Sequence, residues 1–550
     1  MGHQCSRLVY FSGRMVLNHL IMEQAHPVLK TARHLIAALV LLSGCTSMPV
    51  QQATPVVEPF PFEAMEKVLT SGFDHISRKY IDEVDMRPFV LEGLRGLTSL
   101  EPGISIVEEH GYVSLKHNNQ DILSMPAPEP TDTAAWSHLA TMMTLEASRN
   151  STDILGTGVE NIYEAVFDGA LSTLDIYSRY AGADEAGTNR AKRDGFSGIG
   201  IRFNLSNSRV IVTEIFSGSP AQRAGILIGD NLLQVDDTPL SGMSYEEIKT
   251  ALRGPVDSSV SLTVLRDDTL AIPIEVLRAH VVPPTVQVDQ QNGVLHVRVK
   301  SFNQGTASGV ARAVQETIGA GESGQGIKGI ILDLRGNPGG LLKQSIEVAD
   351  TFLISGRILN TQGRHPDSIQ HYEAAGDDIA QGLPMVVLID GRSASASEIV
   401  AAALQDRERA VILGTASYGK GTVQTVIRLP NNGEITLTWS RFMAPSGYAL
   451  HGLGVYPVIC TSGKPDDIRA YLISALDTAT ETIEVLESWR DTPLNADKAR
   501  RDLRTQCPPE RHRGTSDVEI ARALITDSAL YARALELERI RALEGESASE

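Results

Sequence analysis

Short apolar runs alternate with amphipathic stretches between residues 287 and 458: GIIL at 329–332, MVVLI at 385–389 and AVILG at 410–414. The stretches between them, SGVARAVQETIG, LKQSIEVADTFL and ASEIVAAALQD, place apolar residues three and four apart. A strand that is apolar on both faces is covered on both faces, and helices of this spacing supply the cover. The pattern predicts an α/β core built on a largely parallel sheet.

Different textures flank this core. Residues 62–190 read as a helical region, with MRPFVLEGLRGLTSL and VENIYEAVFDGALSTLDIYSRYA resembling a diverged duplication and one strand-like stretch, ISIVEEHGYVSLKH, between them. Residues 195–280 turn to short strands punctuated by glycine, a compact β-rich module. The core is expected over 281–460, and amphipathic helices over 461–550 carry no evident chemistry and end in residues expected to be disordered. A chain of 550 residues has room for such a multidomain layout. Its net charge of −18, with no long basic run, argues against a nucleic-acid partner.

Near the start, Leu35 to Leu42 form an apolar run preceded by Lys30 and Arg33 and followed by Ser43, Gly44 and Cys45. This is the layout of a signal peptide. Residues 22–44 are expected to be that signal, with 1–21 upstream of the true start at Met22, and the ending LSGC resembles a bacterial lipobox. Cys45 is then the lipidated residue, 45–61 a Pro-rich tether, and the bilayer a partner through the acyl chains. Thr46 after the cysteine favours the outer membrane, with the protein facing the periplasm. Setting aside Cys5 and Cys45 leaves Cys460 and Cys507, expected to pair in an oxidising compartment. No metal-ligand spacing occurs, and neither a metal nor a cofactor is expected.

The chemistry concentrates in GRSASASEIVAAAL, where Ser393, Ser395 and Ser397 sit at the change from an apolar strand to a helix beginning near Ser397 or Glu398. A nucleophile there lies near the positive end of a helix dipole, which favours the oxyanion of acyl transfer. No histidine announces itself as a base. Lys420, between two glycines, is the alternative, because a desolvated lysine exists as a free amine at working pH. Gly414, Gly419 and Lys420 also match part of a phosphate-binding loop, but Gly421 stands where that loop needs Ser or Thr and a strand follows where it needs a helix.

Two sets of motifs then carry a family resemblance. SPAQRAGILIGDNLLQVDDTPL resembles the core of a PDZ domain, a fold that binds a peptide tail as an added strand and holds its carboxylate on backbone N–H groups. The matching carboxylate loop is Ser197, Gly198, Ile199 and Gly200. DLRGNPGG, SASASEIVAAAL, SYGKGTVQ and APSGYALHGLGVYP, in this order, resemble the carboxyl-terminal processing (tail-specific) serine peptidases. The resemblance implies a crotonase/ClpP-like α/β protease core with an inserted PDZ module, and protein substrates recognised by exposed C-terminal tails. It makes Ser395 the nucleophile, Lys420, 25 residues later, its base, and Gln424 the residue that orients the amine. It places an oxyanion hole on the N–H groups of Ala396 and Gly340. It also makes Arg253 a candidate sensor of PDZ occupancy.

Two motifs depart from the family pattern. Val458 replaces an acidic residue, and LDIYS at 174–178 replaces LDPHS. Neither is expected to touch the dyad. A PDZ scaffold that binds tails without cutting them is the alternative, yet it would be expected to lack Ser395, Lys420 or Gln424. A hydratase or acyl transferase would need a coenzyme pocket and leaves the PDZ module idle. Surplus helices at both ends leave room for a homo-oligomer or an adaptor protein.

Overall fold

The computed structural model describes residues 61–320, 326–463, 467–477, 479–511 and 516–538. The signal segment, Cys45, the tether up to residue 60 and the final twelve residues lie outside them. No described helix is long and apolar enough to cross a membrane.

At the centre is a six-stranded sheet in which Val294–Val299, Gly329–Asp333, Met385–Ile389, Val411–Gly414 and Ile459–Cys460 run parallel, with Val286–Gln291 antiparallel at one edge. Every residue of Gly329–Asp333 and Met385–Ile389 is buried. The helices Thr306–Ala320, Leu342–Asp350 and Ala396–Asp406 follow the strands as the alternation predicts. Ser516–Thr526 packs on the central strands and Ser528–Glu538 on Val411–Gly414, and Leu472, Trp489, Ile520 and Leu524 join the same buried core. The C-terminal helices therefore complete the cover of the sheet, which a parallel sheet requires.

A second, antiparallel sheet lies beside the first, with Gln370–Ala374, Gly356–Gln362, Glu434–Met443 and Thr422–Arg428 in that order. Arg179–Ala181, from the N-terminal region, pairs with Glu434–Thr436 on this sheet. Ile427, Leu429, Ile435 and Leu437 are buried in one core with Phe73, Phe89 and Phe167 of the N-terminal helices. That region also holds a three-stranded antiparallel sheet from Ile104 to Pro126.

The PDZ module has its own core of aliphatic residues between Ile199 and Val276. Its sheet ends in the edge strand Ile201–Ser206, faced across a cavity of about 330 Å³ by the helix Tyr245–Leu252.

Candidate active site

The strand Met385–Ile389 ends in a turn that Asp390 shapes by accepting the N–H groups of Gly336, Arg392 and Ser393. The helix then begins at Ala396, with Ser395 at its N-cap. This is slightly earlier than the sequence predicts, and it puts Ser395 on the dipole axis. Ser395 has φ 55° and ψ −113°. A non-glycine residue costs of order 1–3 kcal/mol in such a conformation, which persists only where its surroundings impose it.

The three serines separate by their partners. Ser393 is buried, and its hydroxyl donates to the Leu334 carbonyl at 2.8 Å. Ser397 is buried and donates to the Asn337 carbonyl at 3.0 Å. Of the three, Ser395 alone lines a cavity of about 420 Å³, and its hydroxyl donates to no acceptor among the described residues. Lys420, Gln424, Ala396, Gly339 and Gly340 line the same cavity.

Between the two glycines, hydrogen bonding distinguishes the donors. The Gly339 N–H donates to Asn337 Oδ1 at 2.9 Å. Gly340, at φ +149°, forms a parallel bridge with Phe302 through the Gly339 carbonyl and the Leu341 N–H, and its own N–H has no acceptor among the described residues. The N–H of Ala396 likewise has no acceptor among the described residues. Gly339 cannot carry a side chain, because a Cβ there would lie 2.8 Å from the Ala394 carbonyl and 3.0 Å from Ser395 Cβ.

Glu398 ties Ser395 to the lysine loop. Its fully buried carboxylate accepts the N–H of Ser395 at 2.7 Å and of Lys420 at 2.9 Å on one oxygen. The other oxygen accepts the N–H of Gly419 at 2.6 Å and the Ser417 hydroxyl at 2.5 Å. Burial pushes this carboxyl up while the four donors pull it down.

Lys420 is partly buried, and desolvation, aided by the nearby Arg179, holds its amine below the usual lysine range. No hydrogen bond joins its Nζ to Ser395 or to Gln424. Nζ lies instead over the Tyr177 ring, 4.8 Å from the centroid. The LDIYS segment therefore reaches the dyad, contrary to the expectation from sequence: a residue far off in the chain is brought in by the pairing of Arg179–Ala181 with the second sheet. Gln424 donates through Nε2 to Thr422 Oγ1 at 2.9 Å and Thr438 Oγ1 at 3.2 Å, which leaves its carbonyl oxygen without a protein donor.

The C-terminal helices also touch the site, a role their sequence does not announce. Arg504 donates to the Ser417 carbonyl at 2.9 Å and to that of Leu453. Arg500 donates to the carbonyls of Ala449 and His451, and the Glu510 carbonyl accepts the Gly391 N–H at 2.8 Å. A disulfide joins Cys460 to Cys507 and ties this segment to the strand Ile459–Cys460 of the central sheet.

In the PDZ module the N–H groups of Ile199 and Gly200 donate to no acceptor among the described residues, and both residues line the groove with Phe203, Tyr245 and Leu252. Gly198 lines it too, while the buried Ser197 hydroxyl beside it has no partner. Arg253 closes one end and stacks on Phe196 at 4.7 Å. Lys192 lines both this groove and the catalytic cavity. Among the described residues, no group of three histidine, cysteine or carboxylate side chains is placed to hold a metal ion.

Known proteins share these parts. Residues 293–460 match the model of peptidase family S41, and 211–266 that of a PDZ domain. A carboxy-terminal-processing protease of Bartonella bacilliformis is 36% identical over 315 residues, which cover 57% of this chain and 72% of the relative. A carboxyl-terminal-processing protease of Synechocystis sp. is 32% identical over 309 residues, covering 54% and 70%. The solved photosystem II D1 C-terminal processing protease aligns with 70% of this chain and 96% of its own at 24% identity, with a TM-score of 0.34, too low to support a comparison of geometry. The extent of the match to the Bartonella protein and the two family models together establish that this chain belongs to the carboxyl-terminal processing serine proteases of peptidase family S41.

Proposed function

We propose that Ser395 and Lys420 form the catalytic dyad of an endopeptidase with a crotonase/ClpP-like core, which cuts exported proteins whose C-terminal tails the PDZ groove captures. The observation that carries this reading is the single free serine hydroxyl of the SASAS turn, in one cavity with a desolvated lysine and two free N–H groups.

In this reading a substrate tail adds as a strand to the edge Ile201–Ser206, its carboxylate on the N–H groups of Ile199 and Gly200. The chain then passes along the helix that bears Lys192 into the cavity. Ser395 Oγ bonds to the scissile carbonyl carbon as its proton passes to Lys420 Nζ, and the oxyanion forms against the N–H groups of Ala396 and Gly340. Lys420 returns the proton to the leaving amine, and water, deprotonated by the same amine, releases the acyl chain. Gln424 presents its free carbonyl oxygen to the ammonium. Arg253 reports occupancy of the groove.

Cleavage of an unfolded, apolar-tailed reporter by the full chain tests the reading, beside Ser395→Ala and Lys420→Ala. Both variants are expected to fold and to lose cleavage. Persistent cleavage by Ser395→Ala would remove the nucleophile assigned here. We further propose a periplasm-facing protein anchored through acylated Cys45, favouring the outer membrane. Incorporation of labelled palmitate that Cys45→Ser abolishes is the expected result.

A further inference from the structure

Tyr177 belongs to neither the PDZ module nor the α/β core, yet it is the side chain on which the lysine amine rests. Its place is fixed from several sides. Asp175 accepts the N–H of Tyr177 at 2.6 Å and of Ser178 at 3.0 Å, and the Ser178 hydroxyl at 2.9 Å. The Thr438 hydroxyl donates to the same carboxylate at 3.2 Å and its N–H to Ser178 Oγ at 3.2 Å, which moors the turn to the second sheet. The Tyr177 phenol faces Tyr418, two residues before the lysine, and burial, with this proximity, raises its pKa. A ring so held presents a fixed face to Lys420 Nζ, 4.8 Å from its centroid, and no competing bond draws the amine to Ser395.

We propose that Tyr177 is a positioning residue for catalysis: its ring face holds the Lys420 amine as an ammonium away from Ser395, and the nucleophile is activated only when that amine leaves the ring. The physical reason is the ring quadrupole. An aromatic face attracts a cation but offers little to a neutral amine. Tyr177 therefore favours the charged form of Lys420, opposing the desolvation and the Arg179 charge that favour the neutral one. Burial pushes the Tyr177 phenol up to about 12, so the ring itself stays neutral. The other charged groups around Lys420 are Asp175 from the same turn and Glu398 from the helix behind Ser395, both of which favour its ammonium form. Lys192, Arg193 and Glu434 line the cavity with it.

The inference rests on Lys420 being the base, and the test separates the two. Cleavage of the reporter is followed as kcat/KM against pH for the full chain, Tyr177→Phe and Tyr177→Leu, with Lys420→Ala alongside. Loss of the ring in Tyr177→Leu is expected to move the acidic limb to lower pH by about half to one unit, a roughly three- to tenfold gain well below the limb. Tyr177→Phe keeps the face and is expected to keep the wild-type limb. Trifluorophenylalanine at position 177 keeps the shape while draining the face, so it should shift the limb even if Tyr177→Leu fails to fold. A limb that stays put in both the Leu and the fluorinated variants overturns the proposal, as does a Phe variant that shifts as far as Leu. Activity retained by Lys420→Ala would overturn the dyad reading and the proposal with it.

Discussion

Glu398 accepts the backbone N–H of Lys420 on the same carboxylate oxygen that accepts the N–H of Ser395. Ser395 and Lys420, the proposed nucleophile and base, are thus registered through one buried side chain that touches neither Oγ nor Nζ. Glu398→Gln exchanges one acceptor oxygen for an NH2 group that meets N–H donors. Each stranded donor costs about 1–3 kcal/mol, and the loops it registers would separate. The expected result is a fall of ~10²-fold or more in kcat with KM little changed, read from steady-state cleavage, together with a lower Tm.

The brace behind the lysine loop gives a second expectation. Arg504→Ala removes the donors to the Ser417 and Leu453 carbonyls, and about a tenfold loss of kcat is expected while tail binding is retained. Cys507→Ser opens a loop spanning 47 residues in sequence, and a disulfide of that size stabilises by about 2–4 kcal/mol. Denaturant unfolding should show a loss in this range, matched by the reduced wild-type protein and absent when Cys507→Ser is compared with and without reductant.

Tail capture depends on the carboxylate loop. Gly200 has φ +81°, and a Cβ there would lie 2.4 Å from Ser219 Cβ. Gly200→Ala should distort the N–H pair and weaken a labelled apolar C-terminal peptide by about tenfold or more in fluorescence polarisation. Amidating the peptide's terminus should do the same to the wild-type protein, since only a carboxylate uses both N–H groups.

A pH dependence follows from Glu538, fully buried on the last described helix. It accepts the Ile412 N–H at 3.0 Å through one oxygen, while the other has no hydrogen-bond partner. Burial pushes its carboxyl up to about 8. The folded state thus holds a proton that the unfolded chain releases near pH 4.5, the ordinary value. Its contribution to stability is therefore fully present below pH 4.5 and is lost as pH rises through 8. Glu538→Gln should remove this dependence, so the variant's stability relative to wild type rises by the order of a few kcal/mol between pH 5 and 8 in denaturant titrations.

The core and the residues of the proposed dyad were legible because local signals carry them. Apolar runs mark the parallel strands, and the SASE and GKG motifs sit at turns whose chemistry is set by near neighbours. Only tertiary contacts identify Ser395 without the family resemblance, since Ser393 and Ser397 look alike in sequence and differ in what their hydroxyls bond. Tyr177 and Arg504 were illegible for a related reason. Nothing near a tyrosine in LDIYS or an arginine in a charged amphipathic helix marks it as a neighbour of Lys420, because the second sheet and the disulfide bring them there. The short strand Arg179–Ala181 that delivers Tyr177 is too brief to leave a periodic signature.

The chain order gives the brace a further meaning. Ser395 and Lys420 precede Arg504 and Cys507 in the chain, and precede the two helices that cover the central strands. A fold that lacked these segments would hold both residues but leave the strands Gly329–Asp333, Met385–Ile389 and Val411–Gly414 without those helices and the Ser417 carbonyl without Arg504. Completion of the site is thereby tied to the docking of these helices and the closure of Cys460–Cys507, and not to the presence of Ser395 and Lys420 alone.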